Sequence, residues 1–96
     1  AAKLGSDDPR LEYYRGVALV LAKKDSADAE KHLRTYLQAV PDGSQVPPHS
    51  SAHQWLGKLY EAEGNRDRAA AEYQSALSLN PRDDDARKAL ERVRRR

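Results

Sequence analysis

Residues 50–81 read SSAHQWLGKLYEAEGNRDRAAAEYQSALSLNP, and this stretch decides the fold. Gly64-Asn65 is a helix-stop signal, because both residues tolerate the left-handed backbone of a C-terminal cap. Asn80-Pro81 is a second stop, since proline cannot continue a helix. Between these breaks the spacing predicts one helix capped by Ser50 or Ser51 and running to about Glu63. Another follows from about Arg66 to Leu79. Residues expected between the two helices alternate in size. Gly57 and Ala69 are small enough for close approach, and Tyr60 and Tyr73 are large enough to fill the space beside them.

Toward the N-terminus, Gly43 to His49 contains Pro47-Pro48, through which no helix continues, so it is a loop with His49 outside the helix. Before it, Asp8 can cap a first helix with Pro9 at its first position, running to about Lys24. Asp25 or Ser26 caps a second helix to about Val40, ended by Pro41-Asp42-Gly43. Toward the C-terminus, a fifth helix starts near Asp83. Asp83, Asp84 and Asp85 crowd its first turn and Arg92, Arg94, Arg95 and Arg96 its last, both matching the helix dipole. Ala86, Ala89, Leu90 and Val93 give it a single apolar stripe. The chain reads as all-α.

The run Leu56-Gly57, Tyr60, Gly64, Ala69, Tyr73, Ala76-Leu77, Pro81 resembles the tetratricopeptide repeat across the whole helix pair. One departure is His53, where the family most often has a bulky residue; Trp55, two residues on, is expected to supply the bulk. The first pair repeats the pattern more weakly. Pro41 matches Pro81, Ala29 matches Ala69, Leu33 matches Tyr73 and Leu37 matches Leu77. Gly16 matches Gly57 if the turn near Lys24–Ala27 holds one extra residue, while Arg15 replaces Leu56 and Tyr36 replaces Ala76.

The resemblance implies two helical hairpins stacked in a shallow superhelix and closed by a C-terminal capping helix. The expected division is an N-terminal segment, disordered or partly ordered, at 1–7; a first repeat at 8–41; a loop at 42–49; a second repeat at 50–82; and a cap at 83–96. Fewer than three repeats rarely suffice for stability, so either further repeats precede residue 1 or the module self-associates. The absence of Met, at position 1 and elsewhere, predicts an excised or processed piece.

By resemblance the function is protein–protein interaction, as a scaffold or adaptor holding a peptide or partner helix in a groove formed by the first helix of each pair. That inner face would comprise Arg10, Tyr13, Val17, Val20 and Leu21, then Ser51, Gln54, Lys58, Glu61 and Ala62. The expected partner-binding residues are Arg10, Tyr13, Val17, Val20, Leu21, Gln54, Lys58 and Glu61, apolar ones setting affinity and charged ones the choice of partner. If the helix is rotated from this register, the same apolar residues are core. Some family members clamp a C-terminal carboxylate with Lys and Asn; Tyr13 and Val17 stand at those places, so that clamp is not supported. The rival reading is a homodimer formed through the apolar face of the first helix.

Composition narrows the alternatives. There is no cysteine, which excludes disulfides, thiolate zinc sites and a cysteine nucleophile. No apolar run approaches the ~20 residues of a membrane span; Val17 to Ala22 is the longest, so membrane insertion is not expected. Charge is balanced, with 17 basic and 15 acidic residues, and the excess lies at the end: from Arg82 on, seven basic against four acidic. A nucleic-acid binder more often carries a basic face across the fold, so that partner is the less favoured one. His49 and His53 are four apart but no carboxylate completes a metal site nearby, and His32 is read as surface or interface. No nucleophile–base pair and no phosphate loop stands out, so neither enzyme activity nor a cofactor is expected. The compartment stays open between cytoplasm and periplasm.

Overall fold

A computed structural model of the chain describes residues 10–39 and 47–95. Five helices follow in order: α1, Arg10–Ala22; α2, Ser26–Ala39; α3, His49–Ala62; α4, Arg66–Leu79; and α5, Asp84–Arg94. The described residues contain no strand. The expected first-helix start at Asp8-Pro9, the segment 1–7, the loop at 42–46 and the stops at Val40 and Pro41 lie outside the described residues.

Each boundary has a local cause. Asn65 caps α4, its side chain accepting from the Arg68 amide, and Asp83 caps α5 by accepting from the Ala86 amide. Gly64 turns the chain between α3 and α4 at φ 81°. Between α1 and α2 the same left-handed backbone falls on Lys23 and Asp25, at φ 58° and 52°, where a side chain makes it costlier. The expected cap of α3 is corrected: Pro48 occupies the N-cap and makes no side-chain cap bond, so the helix starts at His49. Proline's fixed φ suits that place, with ψ 158° still extended. Ser50, expected as a cap, is buried instead.

The two hairpins interlock at their glycines. A Cβ built on Gly57 would lie 2.6 Å from Tyr73 Cε1, and one on Gly16 would lie 2.7 Å from Leu33 Cγ. The match of Gly16 to Gly57, and of Leu33 to Tyr73, is therefore physical: each helix pair closes onto a missing side chain. Ala29, Leu33, Tyr36, Leu56, Ala69, Tyr73 and Ala76 have no exposed surface. Burying Tyr73 alone contributes about 3–5 kcal/mol, the usual cost of truncating a core aromatic.

Three side chains depart from the simple repeat. Trp55 does not fill the place of His53; it turns to α1, where its indole N–H donates to Tyr13 Oη at 3.0 Å. His53 takes up a polar contact with α4 instead. Tyr36, in the place of Ala76, stacks against Tyr13 at 5.4 Å and donates to the Pro47 carbonyl, which ties the segment before α3 to the first hairpin.

Candidate partner-binding groove

The surroundings of α3 decide which residues are open. Gly57 faces α4 through Tyr73. Tyr60 donates to Glu30 of α2 and accepts from Arg34 at 2.8 Å. Trp55 faces α1. Gln54 donates to Asp83, and Glu61 accepts from Arg92 at 2.7 and 2.8 Å, so both face α5. At ~100° per residue, Gln54 and Glu61 lie roughly 50° from Gly57 on the helical wheel, and Ser51 and Lys58 roughly 110°. The second pair falls in the gap between α1 and α5. A groove there is lined by Ser51, Gln54, Trp55 and Lys58, continuing over Lys88, Ala89 and Arg92.

The same positions recur on α1. Tyr13 and Val20 correspond to Gln54 and Glu61, and they also face the next helix. Tyr13 is buried against Trp55 and Tyr36, and burial pushes its hydroxyl above the usual tyrosine range. Val20 lines a cleft with Leu59 and Ala62. Arg10, Val17 and Leu21 correspond to Ser51, Lys58 and Ala62. Leu21 is 66% exposed, Arg10 is exposed and Val17 is half-buried. Of the eight residues expected to bind, Leu21 and Lys58 are exposed on the open strip, Val17 is half-buried against the core, and Arg10 is exposed at its end with a contact of its own. Tyr13, Gln54 and Glu61 are engaged within the chain, and Val20 sits at the α1–α3 cleft.

The α5 wall of the groove, Lys88 and Arg92, was absent from the expected set. Its signal is the 34-residue offset: Lys88 follows Gln54, and Arg92 follows Lys58, by one repeat length. Reading α5 as a plain cap hid it.

Carboxylates fix the layers to one another. Arg34 of α2 donates to Glu30 and to Glu72 of α4, at 3.2 and 2.9 Å. His53 Nδ1 lies 2.8 Å from Glu72 Oε1, and since an ionised carboxylate only accepts, the imidazole donates. Burial pushes the Glu72 carboxyl up, but the hydrogen bonds from His53 and Arg34 outweigh it and hold it below the ordinary range. The first hairpin carries the same clip with its partners exchanged. Glu12 of α1 stands in the register of His53, His32 of α2 in that of Glu72, and they meet at 2.8 Å. His53 and His32 therefore both serve as helix clips, and no group of three or more His, Cys, Asp or Glu among the described residues could hold a metal.

Residues 50–94 match the tetratricopeptide-repeat family. These residues are a tetratricopeptide repeat. The match takes in α3, α4 and α5, so what was expected as a cap is included in the repeat's span. Glycine packing and the Glu–His clip extend the repeat's geometry to α1 and α2. Over 85 residues the chain is 31% identical to a "Probable biofilm formation methyltransferase WspC" of Pseudomonas putida, covering 88% of this chain and 19% of that protein. The chain thus spans about a fifth of the length of that relative. No solved structure gives a significant match. Tetratricopeptide repeats generally mediate protein–protein interaction, and no helix among the described residues is long and apolar enough to cross a membrane.

Proposed function

We propose that the chain is a docking module that holds a segment of a partner protein in the groove across α1, α3 and α5, acting as scaffold or adaptor without chemistry of its own. The observation that carries this is the open strip. Leu21 on α1 and Lys58 on α3 remain exposed along it, with Lys88 opposite; between them Val17 is half-buried against the core and Ser51 is half-buried and bonded to Tyr13. Apolar anchors beside unpaired charge are what a groove needs for affinity and choice of partner. The relative's name contains "methyltransferase"; in the fifth of that protein shared with this chain, we assign holding a partner, not methyl transfer.

The test is a comparison of partners retained by the chain and by a Leu21→Asp, Lys58→Glu variant. Both residues are exposed, so helicity and melting temperature should be unchanged. Loss of the retained partner supports the groove; equal retention overturns it. A second reading is self-association through α1, favoured by Tyr14 and Leu21 at 55% and 66% exposure. A mass by light scattering that stays monomeric across concentrations removes it. Contact with nucleic acid through the basic end is weaker, because Arg92 and Arg94 are engaged with Glu61 and Gln74.

A further inference from the structure

We infer that the groove reads an extended segment in which a bulky apolar residue is followed two residues later by a carboxylate; this rests on the groove reading above and adds the chemistry of the ligand. Two adjoining features carry it. The first is a cleft of about 260 Å³ between the C-terminal ends of α1 and α3, floored by Leu19, Val20, Leu59 and Ala62. It is smaller than the roughly 300–1,000 Å³ of small-molecule sites, and it suits a single side chain of a peptide. Charges at its rim, Lys23 and Lys24 against Asp25 and Glu63, offset one another, so the floor selects by apolarity.

The second feature is Lys58, one helical turn before Ala62 on the same face. Its ammonium sits 4.6 Å from the Trp55 ring centroid and has no ion pair among the described residues. Arg92 nearby is neutralised by Glu61 at 2.7 and 2.8 Å. Lys88, across the groove, is a second ammonium without an ion pair among the described residues, and of the described carboxylates Asp85 lines the groove with the two lysines while Glu61 is shared between Arg92 and Lys58. The open strip therefore favours an anion. Side chains four apart on a helix stand about 5–6 Å from each other, and an extended chain advances about 3.3 Å per residue. An apolar residue in the cleft thus places a residue two positions away in the segment at Lys58, and the following position is the one assigned to the carboxylate. Among the described residues, the exposed large apolar side chains of a second copy do not supply that pattern. Tyr14, Leu21 and Leu79 are followed two residues later by Gly16, Lys23 and Pro81.

Three synthetic decapeptides, acetylated and C-terminally amidated, test this against the 15N-labelled 96-residue chain by amide chemical shifts. One carries Phe with Glu at the second and fourth following positions, one has Lys for both Glu, and one has Ala for Phe. The Phe–Glu peptide should move the amides of Val20, Lys58, Leu59 and Ala62 and bind roughly two- to fivefold more tightly than the Phe–Lys peptide, the scale of exposed ion pairs. The Ala peptide should lose binding. Lys58→Glu should invert the charge preference with helicity unchanged. Equal binding of both Phe peptides at these residues overturns the charge assignment and leaves the groove reading standing. Shifts confined to α2 and α4, or no binding of any peptide, overturn both.

Discussion

Substituting alanine at Gly57 tests the interlock of α3 with α4 through the sign of its effect. At an open helical site, Gly→Ala stabilises by about 0.8–1.0 kcal/mol. Here the added Cβ would stand 2.6 Å from Tyr73 Cε1 and 2.8 Å from two further ring atoms. The ring has no room to yield: Tyr73 has no exposed surface, and its hydroxyl donates to Glu61 at 2.9 Å. Overpacking of this kind costs about 1–3 kcal/mol, with the rigid neighbour placing it at the upper end. Subtracting the helical gain leaves a net loss of roughly 1–2 kcal/mol. For a domain of this size that lowers the melting temperature by roughly 5–15 °C. Circular dichroism melts of the wild type, Gly57→Ala and the exposed control Ala71→Gly decide it, the control calibrating the helix term in α4. A Gly57→Ala chain melting above the wild type would refute the close approach of the two helices.

Further outcomes follow from the same contacts. Gly64→Ala should cost about 1 kcal/mol by urea unfolding, because φ is 81° although no atom lies within 4 Å of the new Cβ. Asp83→Ala removes the acceptor of the Ala86 amide and should cost about 1 kcal/mol, a loss visible as early exchange of amides in the first turn of α5. Stability should also fall in acid. Hydrogen bonds from His32, Tyr60 and Arg92 hold Glu12, Glu30 and Glu61 below the ordinary 4.5, and those from His53 and Arg34 do so for Glu72. A lowered folded value means the unfolded chain takes up the proton first, so this stabilisation is full above the ordinary carboxylate range and is lost as pH falls through the folded values. Melting temperatures should be level from about pH 7 to pH 5 and drop below that, and Glu72→Gln should lower the plateau and flatten the drop.

Much of the architecture was legible because it rests on residues with local meaning. Gly64, Asn65, Asn80 and Asp83 punctuate helices wherever they occur, and small residues among large ones mark a close approach; which aromatic fills it was not legible, since Gly57 receives Tyr73 while Tyr60, its neighbour on α3, turns to Glu30 and Arg34 of α2. Polar residues were harder to place. Gln54 and Glu61 look solvent-facing by composition, yet they meet Asp83 and Arg92 because α5 packs on that side of α3. Nothing within α3 shows where α5 will lie. Tyr13 was misleading for the complementary reason: its ring is core, and only its hydroxyl, reached by Trp55, has a polar task. The exchange of Glu12–His32 for His53–Glu72 was hidden, since each residue reads as surface until the register of both hairpins is laid over the other.

The most direct single measurement is a NOESY spectrum of the isotope-labelled chain. The interlocked, layered arrangement predicts cross-peaks from Gly57 Hα to the Tyr73 ring, from Gly16 Hα to Leu33 methyls, and from the Trp55 indole proton to the Tyr13 ring. It also predicts Leu21 methyls without cross-peaks to α3. An indole proton in contact with α4 in place of His53, or glycine protons without partners across the hairpins, would contradict the layered arrangement and the groove derived from it.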